Sequence, residues 1–111
     1  MAYDVLLKTT EMGTGDKALT ENLMNAFIHT VAQREEKPQN VIMYGTGVKL
    51  AAKGSEVIED LQTLVDAGVK VLSCGICVDY YELSKKIVVG GITTMDEVVD
   101  ILANSQNIVT P

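Results

Sequence analysis

Three short aliphatic runs, Tyr3 to Leu7, Asn40 to Tyr44 and Gly68 to Leu72, are each followed by a turn signal and then by apolar residues at helical spacing. Strands that are apolar at nearly every position, rather than at alternate ones, are buried on both faces. Alternation of such strands with helices calls for a parallel sheet with helices packed on both sides. The chain is therefore read as α/β, with a mainly parallel sheet of about five strands. Its 111 residues make one domain, residues 1–111, around a single core. With Phe27 the only Phe and no Trp, that core is aliphatic.

The helical pattern sets the expected elements. After Gly13-Thr14-Gly15-Asp16, with Asp16 as N-cap, Leu19, Leu23, Phe27 and Val31 recur every fourth residue, and Met24, Ile28 and Ala32 widen the stripe. Pro38 stops this helix near Glu36. Gly45-Thr46-Gly47 leads into a single turn over Val48 to Ala52, and Ser55 is read as the N-cap of a second helix carrying Val57, Ile58, Leu61, Leu64 and Val65 up to Gly68. A short helix is expected from Val78 to Lys86, a fourth strand over Ile87 to Val89, a last helix over Met95 to Asn104 capped by Thr94, and a final strand over Asn107 to Val109. Met12, Met24, Met43 and Met95 read as core fillers.

Charge excludes one class of function. The net charge is -6 and no basic run exceeds Lys85-Lys86, so there is no phosphate-binding footprint and no nucleic-acid partner is expected. The start, Met1-Ala2-Tyr3-Asp4, has no basic region followed by an apolar stretch, and no apolar run approaches the roughly 18 residues of a membrane span. The expectation is a cytoplasmic protein without membrane contact.

Chemistry concentrates in one place. The third strand runs from Leu72 straight into Ser73-Cys74-Gly75-Ile76-Cys77, which holds the only two cysteines. A thiol where a helix begins feels unpaired N-H groups and the positive end of the backbone dipole, both of which favour thiolate. The dipole supplies about 0.3 to 1 kcal/mol, so strong activation needs a second thiol or a cation as well, and Cys77 supplies the thiol. On this basis Cys74 is expected to be solvent-reachable and largely ionised near neutral pH. In a reducing compartment the C-x-x-C spacing points to redox or sulfur chemistry. Buried structural thiols and a metal site are the alternatives. Zinc would need four ligands, and beyond this pair the chain has one histidine, His29, with scattered carboxylates, so only two subunits pooling cysteines would complete a four-sulfur site. No metal and no cofactor is expected.

In open parallel sheets the working crevice lies beyond the carboxyl ends of the strands. That places the loops Thr9 to Gly15, Gly45 to Lys49 and Ser73 to Cys77 on one rim. Gly13, Gly15, Gly45, Gly47, Lys49, Gly75 and Asp79 are the expected pocket residues around Cys74 and Cys77. Lys49 would lower a thiol pKa if its ammonium lay over the rim; as an ordinary lysine on a solvated turn it would not. Gly13-x-Gly15-x-x-Ala18 matches a relaxed dinucleotide fingerprint, but the second strand ends in Tyr44-Gly45 with no acid for a ribose hydroxyl, so a flexible turn is the preferred reading. Asp79 suits the start of the helix after the cysteines, Tyr80 and Tyr81 read as packing or interface residues, and His29 faces away from Phe27 and has no assigned role. Glu11 and Asp16 are acids near the rim that no spacing singles out as a base.

Gly15-Asp16 before Leu19 and Leu23-Met24, Gly47-Val48-Lys49-Leu50-Ala51, Gly54-Ser55-Glu56-Val57 and Cys74-Gly75-Ile76-Cys77-Val78-Asp79-Tyr80-Tyr81 together resemble the DsrE/DsrF-like sulfur-relay family, most closely its selenium metabolism-associated YedF branch. The resemblance covers nearly the whole chain. It implies a flavodoxin-like or Rossmann-like α/β sandwich, a homo-oligomer, and a part in passing persulfide sulfur, or selenium, between donor and acceptor proteins. It also implies Cys74 as the carrier thiol, with Cys77 resolving the persulfide or stabilising the thiolate. A non-catalytic oligomeric interaction module and a C-x-x-C thiol-disulfide oxidoreductase are the rival readings.

Overall fold

The computed structural model describes residues 2–111. Five strands, β1 (Asp4–Leu7), β2 (Asn40–Met43), β3 (Lys70–Cys74), β4 (Gly91–Thr93) and β5 (Ile108–Val109), form one sheet in the order β4-β3-β2-β1-β5. Every adjacent pair is parallel. The helices are α1 (Lys17–Gln33), α2 (Ile58–Asp66), α3 (Gly75–Tyr80) and α4 (Met95–Ala103), with a 3-10 helix over Gly45–Ala51. The parallel α/β sandwich expected from the near-continuous apolar strands is the fold observed.

Strand order dictates which face each helix covers. β1, β2, β3 and β4 step across the sheet in one direction, so connections of one hand keep their helices on one face. β5 lies on the far side of β1, which sends the β4 to β5 connection back over the other face. The packing follows. Val5, Leu7, Val41, Met43 and Val71 are buried with Met24, Ile28 and Val31 of α1 and Leu61 and Leu64 of α2, whereas Leu6 and Ile42 of the opposite face meet Val98, Ile101 and Leu102 of α4. Full burial of such side chains stabilises by about 1.5 to 3 kcal/mol each, so most of the core lies on the α1 and α2 side.

Several local expectations are corrected. Leu19 and Leu23 face solvent, Leu19 at 54% exposure, and α1 buries Thr20, Met24, Ile28, Val31 and Ala32 instead. The stripe is rotated by about one residue because Thr20 satisfies its hydroxyl locally, on the Glu11 carboxylate at 2.7 Å, and can be buried. The residue preceding α2 is Val57 rather than Ser55, whose hydroxyl accepts the Val57 N-H at 3.2 Å within the preceding turn. The fourth strand is Gly91–Thr93; Ile87 makes only an isolated antiparallel bridge to Ala52. Met24 and Met43 are core residues as expected, but Met95 is exposed at the start of α4.

Thr94 does cap α4, accepting the Glu97 N-H at 3.2 Å. Glu97 in turn receives the Thr93 hydroxyl and the Lys70 ammonium, the latter at 3.2 Å, and both hold its carboxyl below the usual range. These contacts pin the end of β4 to α4 and β3. At the opposite ends of the strands, buried Asp4 accepts from Asn40 at 2.7 Å and from Ser105, tying β1 to β2 and to the segment before β5.

Candidate functional site

The chain leaves β3 toward the α1 and α2 face and leaves β4 toward the α4 face, which makes the β3/β4 boundary the point where adjacent connections diverge. Ligand crevices in open parallel sheets form at such points. Cys74, the last residue of β3, is in register with Thr93, the last residue of β4. Here the gap is closed rather than open: a Cβ on Gly75 would lie 3.1 Å from the Thr93 carbonyl oxygen and 3.4 Å from the Ile92 side chain. A larger residue would crowd the edge strand, so glycine suits this close turn from β3 into α3.

α3 begins at Gly75, earlier than the expected Val78, so Cys74 is its N-cap and Cys77 lies within its first turn. The expectation of a solvent-reachable Cys74 is corrected: it is 1% exposed, packed in the core with Val78 beside it. Cys77 is partly exposed, flanked by the exposed Ile76 and by Tyr80, which is 79% exposed. Ser73, opposite Met43 and Ile92, is also fully buried, and its hydroxyl has no partner among the described residues.

The N-H of Gly45 donates to Cys77 Sγ at 3.1 Å, bringing the loop after β2 onto the thiol. Gly45 holds φ at 57° and Gly47 lies so close to β1 that a Cβ there would sit 2.3 Å from the Leu7 carbonyl oxygen. The glycines thus press this loop down on β1 and aim an amide at the sulfur. Two of the three rim loops meet at this bond, and Thr10 of the first loop shares a cleft of about 250 Å³ with Lys49, Glu21, Asn25, Ser55 and Glu56, beside the thiols rather than around them.

The electrostatics differ from a strongly activated thiol. Burial pushes the Cys77 pKa up most, the Gly45 N-H pulls it down, and hydrogen bonding and charge repulsion with Cys74 push it up again, for a net rise. Lys49 contributes nothing to this shift; its ammonium stands 4.6 Å from the centre of the Tyr81 ring. Such a pair is worth about 0.5 to 1 kcal/mol at an exposed site, and it keeps the charge on the tyrosine face. Alkylation of Cys77 by iodoacetamide is therefore expected to follow a pH profile whose midpoint lies above that of the same cysteine in the denatured chain. A midpoint below the denatured reference would show that a cation or dipole outweighs burial. Because the unfolded chain gives up this proton first, the same shift makes folding less favourable as pH rises past the ordinary thiol range.

The remaining expected residues separate. Gly13 and Gly15 adopt positive φ in an exposed loop, and the nearest neighbour to a Cβ on Gly15 would be Thr20, not a cysteine. Asp79, expected at the start of the helix, is exposed near the C-terminal end of α3 instead, because the helix begins at Gly75. Glu11 is engaged by Thr20, and Asp16 is extended and exposed without a side-chain cap bond. His29 faces solvent as expected, paired with Asp60 at 2.9 Å. Thr93 is the neighbour that sequence reasoning missed, since cross-strand register leaves no local signal. Among the described residues no cluster of three or more His, Cys, Asp or Glu is arranged to hold a metal, and no helix is long and apolar enough to cross a membrane.

Comparison with known proteins adds an independent finding. Residues 5–111 match the family model described as the DsrE/DsrF-like family. No curated protein matches the chain. Among solved structures, the fold is similar to that of the ychN protein from E. coli, with a TM-score of 0.73 at 16% identity over 100% of both chains. A protein of unknown function from Methanobacterium thermoautotrophicum gives a TM-score of 0.71 at 15% identity, covering 99% of this chain and 98% of the other. A conserved protein of unknown function from Bacteroides thetaiotaomicron gives 0.66 at 19% identity, covering 98% and 94%. At these identities the likeness is one of fold.

Proposed function

The chain belongs to the DsrE/DsrF-like family, and on that premise we propose that it is a sulfur-transfer protein whose working groups are Cys77 and Cys74. The observation that carries this reading is the placement of both thiols at the diverging β3/β4 boundary, with a backbone N-H on the outer sulfur. A carrier must touch a donor protein. The buried Cys74 does not meet that requirement, so the carrier role expected for it passes in this proposal to the partly exposed Cys77. The Cys77 thiolate attacks the outer sulfur of a donor persulfide, the donor's sulfur-sulfur bond breaks, and the donor leaves as a thiolate while Cys77 holds the transferred sulfur as a persulfide. An acceptor thiolate then removes it by the same displacement. The Gly45 N-H supports the anionic sulfur at each stage.

Intact-mass measurement of the native chain and of Cys74→Ser after exposure to a persulfide donor tests this reading: one sulfur atom gained by either supports it, and no gain by either, with no hydrosulfide released, rejects it. The resemblance to the YedF branch makes selenium the second cargo to be offered in the same assay. Donor and acceptor are read as separate proteins, and the exposed Ile92, Met95 and Val99 support self-association as well. Sedimentation velocity is expected to report a species larger than the 12.0 kDa chain; a monomer at all concentrations would remove self-association from the proposal.

The burial of Cys74 favours a second reading, a non-catalytic interaction module. On that reading neither cysteine takes up sulfur, and the mass measurement separates the two.

A further inference from the structure

The two thiols differ in access but not in proximity. Cys74 is the N-cap of α3 and Cys77 stands three residues on, a spacing at which side chains share one face of a helix. Cys77 is the sulfur an external molecule meets, while Cys74 is 1% exposed and packed within the core. A sealed thiol cannot exchange sulfur with another protein, yet it can attack a neighbour. No cation or carboxylate among the described residues is hydrogen-bonded or ion-paired to either sulfur; apart from each other, their partner is the Gly45 N-H, which donates to Cys77.

From this arrangement we propose, resting on the sulfur-transfer reading above, that the pair has a second activity: the inner thiol resolves the outer persulfide and releases the cargo as hydrosulfide. The Cys74 thiolate attacks Cys77 Sγ. A bond forms between the two cysteine sulfurs, the bond from Cys77 Sγ to the outer sulfur breaks, and its electron pair departs with the outer sulfur as HS⁻. The proton lost by Cys74 ends on the hydrosulfide or in water. The two cysteine sulfurs are joined as a disulfide and the outer sulfur is reduced, so no further oxidant enters. A dithiol reductant resets the pair by thiol-disulfide exchange. Because both cysteines lie on one short helix turn, closing the bond ties no distant elements together. A selenium cargo would leave by the same displacement as hydroselenide.

The test uses the full chain loaded with cysteine hydropersulfide, desalted without air, and followed by intact mass and by a hydrosulfide assay. Native protein is expected to lose the added sulfur, release one equivalent of hydrosulfide, and finish two hydrogen masses below the reduced chain. Cys74→Ser and Cys74→Ala are both expected to keep the added sulfur, with hydrosulfide release slowed roughly tenfold or more. Native protein that keeps its sulfur without releasing hydrosulfide overturns this inference while leaving sulfur transfer standing. Equal release from the native chain and both variants overturns it too. Absence of any loading on all three proteins, with no disulfide and no hydrosulfide, overturns both.

Discussion

Cys77→Ser is expected to abolish persulfide loading, dropping the sulfur-bearing fraction to the background seen with both cysteines replaced, whereas Cys74→Ser loads to at least the native level. The difference follows from access. An incoming persulfide has to align its outer sulfur with the attacking thiolate, and Cys77 is the member of the pair with open surface on its side, between Ile76 and Tyr80. Serine is close in size, so the variant retains the fold and the loss reads as chemistry. Loading confined to Cys74 would reverse the roles and require α3 to lift away from β4 during the reaction. Loading on neither would leave the interaction module as the surviving reading. Ionisation sets the rate in either case: with the Cys77 pKa raised by burial, loading quickens as pH rises through the thiol range.

The second large effect is expected at Gly47→Ala. The backbone of Gly47 is not in the left-handed region, so space alone demands glycine there. A methyl group would lie 2.3 Å from the Leu7 carbonyl oxygen and 3.0 Å from its carbon, both in the buried end of β1. Backbone has no rotamer with which to yield, so the loop after β2 has to lift. The expected loss is about 3 kcal/mol, in the upper range for overpacking, read as a lower urea midpoint. Lifting the loop also withdraws the Gly45 N-H from Cys77, so its alkylation profile changes together with stability. Gly54→Ala is the control: it places a side chain at a positive φ of 95°, which strains the backbone, but in open space far from the thiols in the chain, and it should leave the Cys77 profile unchanged. If Gly47→Ala retained both stability and profile, the proposed coupling of loop to sulfur would be lost.

Fold class was legible because near-continuous apolar strands such as Val41 to Met43 leave few alternatives to burial on both faces. The cysteine junction was legible for the same reason, as a strand running directly into a helix. Burial of individual side chains was less so. Leu19 and Leu23 satisfy the helical period as well as Met24 and Ile28 do, and which stripe turns inward was decided by Thr20 and Glu11, a contact across the preceding loop. Cys74 is buried where β3 pairs with β4, whose position the run Ile87 to Val89 disguised, and where its side chain joins the core. Lys49 carried the right charge in the right loop, yet its reach is set by the face of Tyr81, thirty-odd residues away. Contacts of this kind arise only once strands have found their register, and single-chain periodicity does not contain them.

The unequal covering of the two sheet faces has a dynamic consequence. On the α4 side, Val98 is the only helix residue wholly withdrawn from water, against a broad set on the α1 and α2 side. Detaching α4 forfeits little apolar contact, and partial openings follow the cheapest boundary in a structure. Breathing of this molecule is thus directed toward its thin flank, leaving the β1 to β3 lattice as the last part to exchange its amide hydrogens.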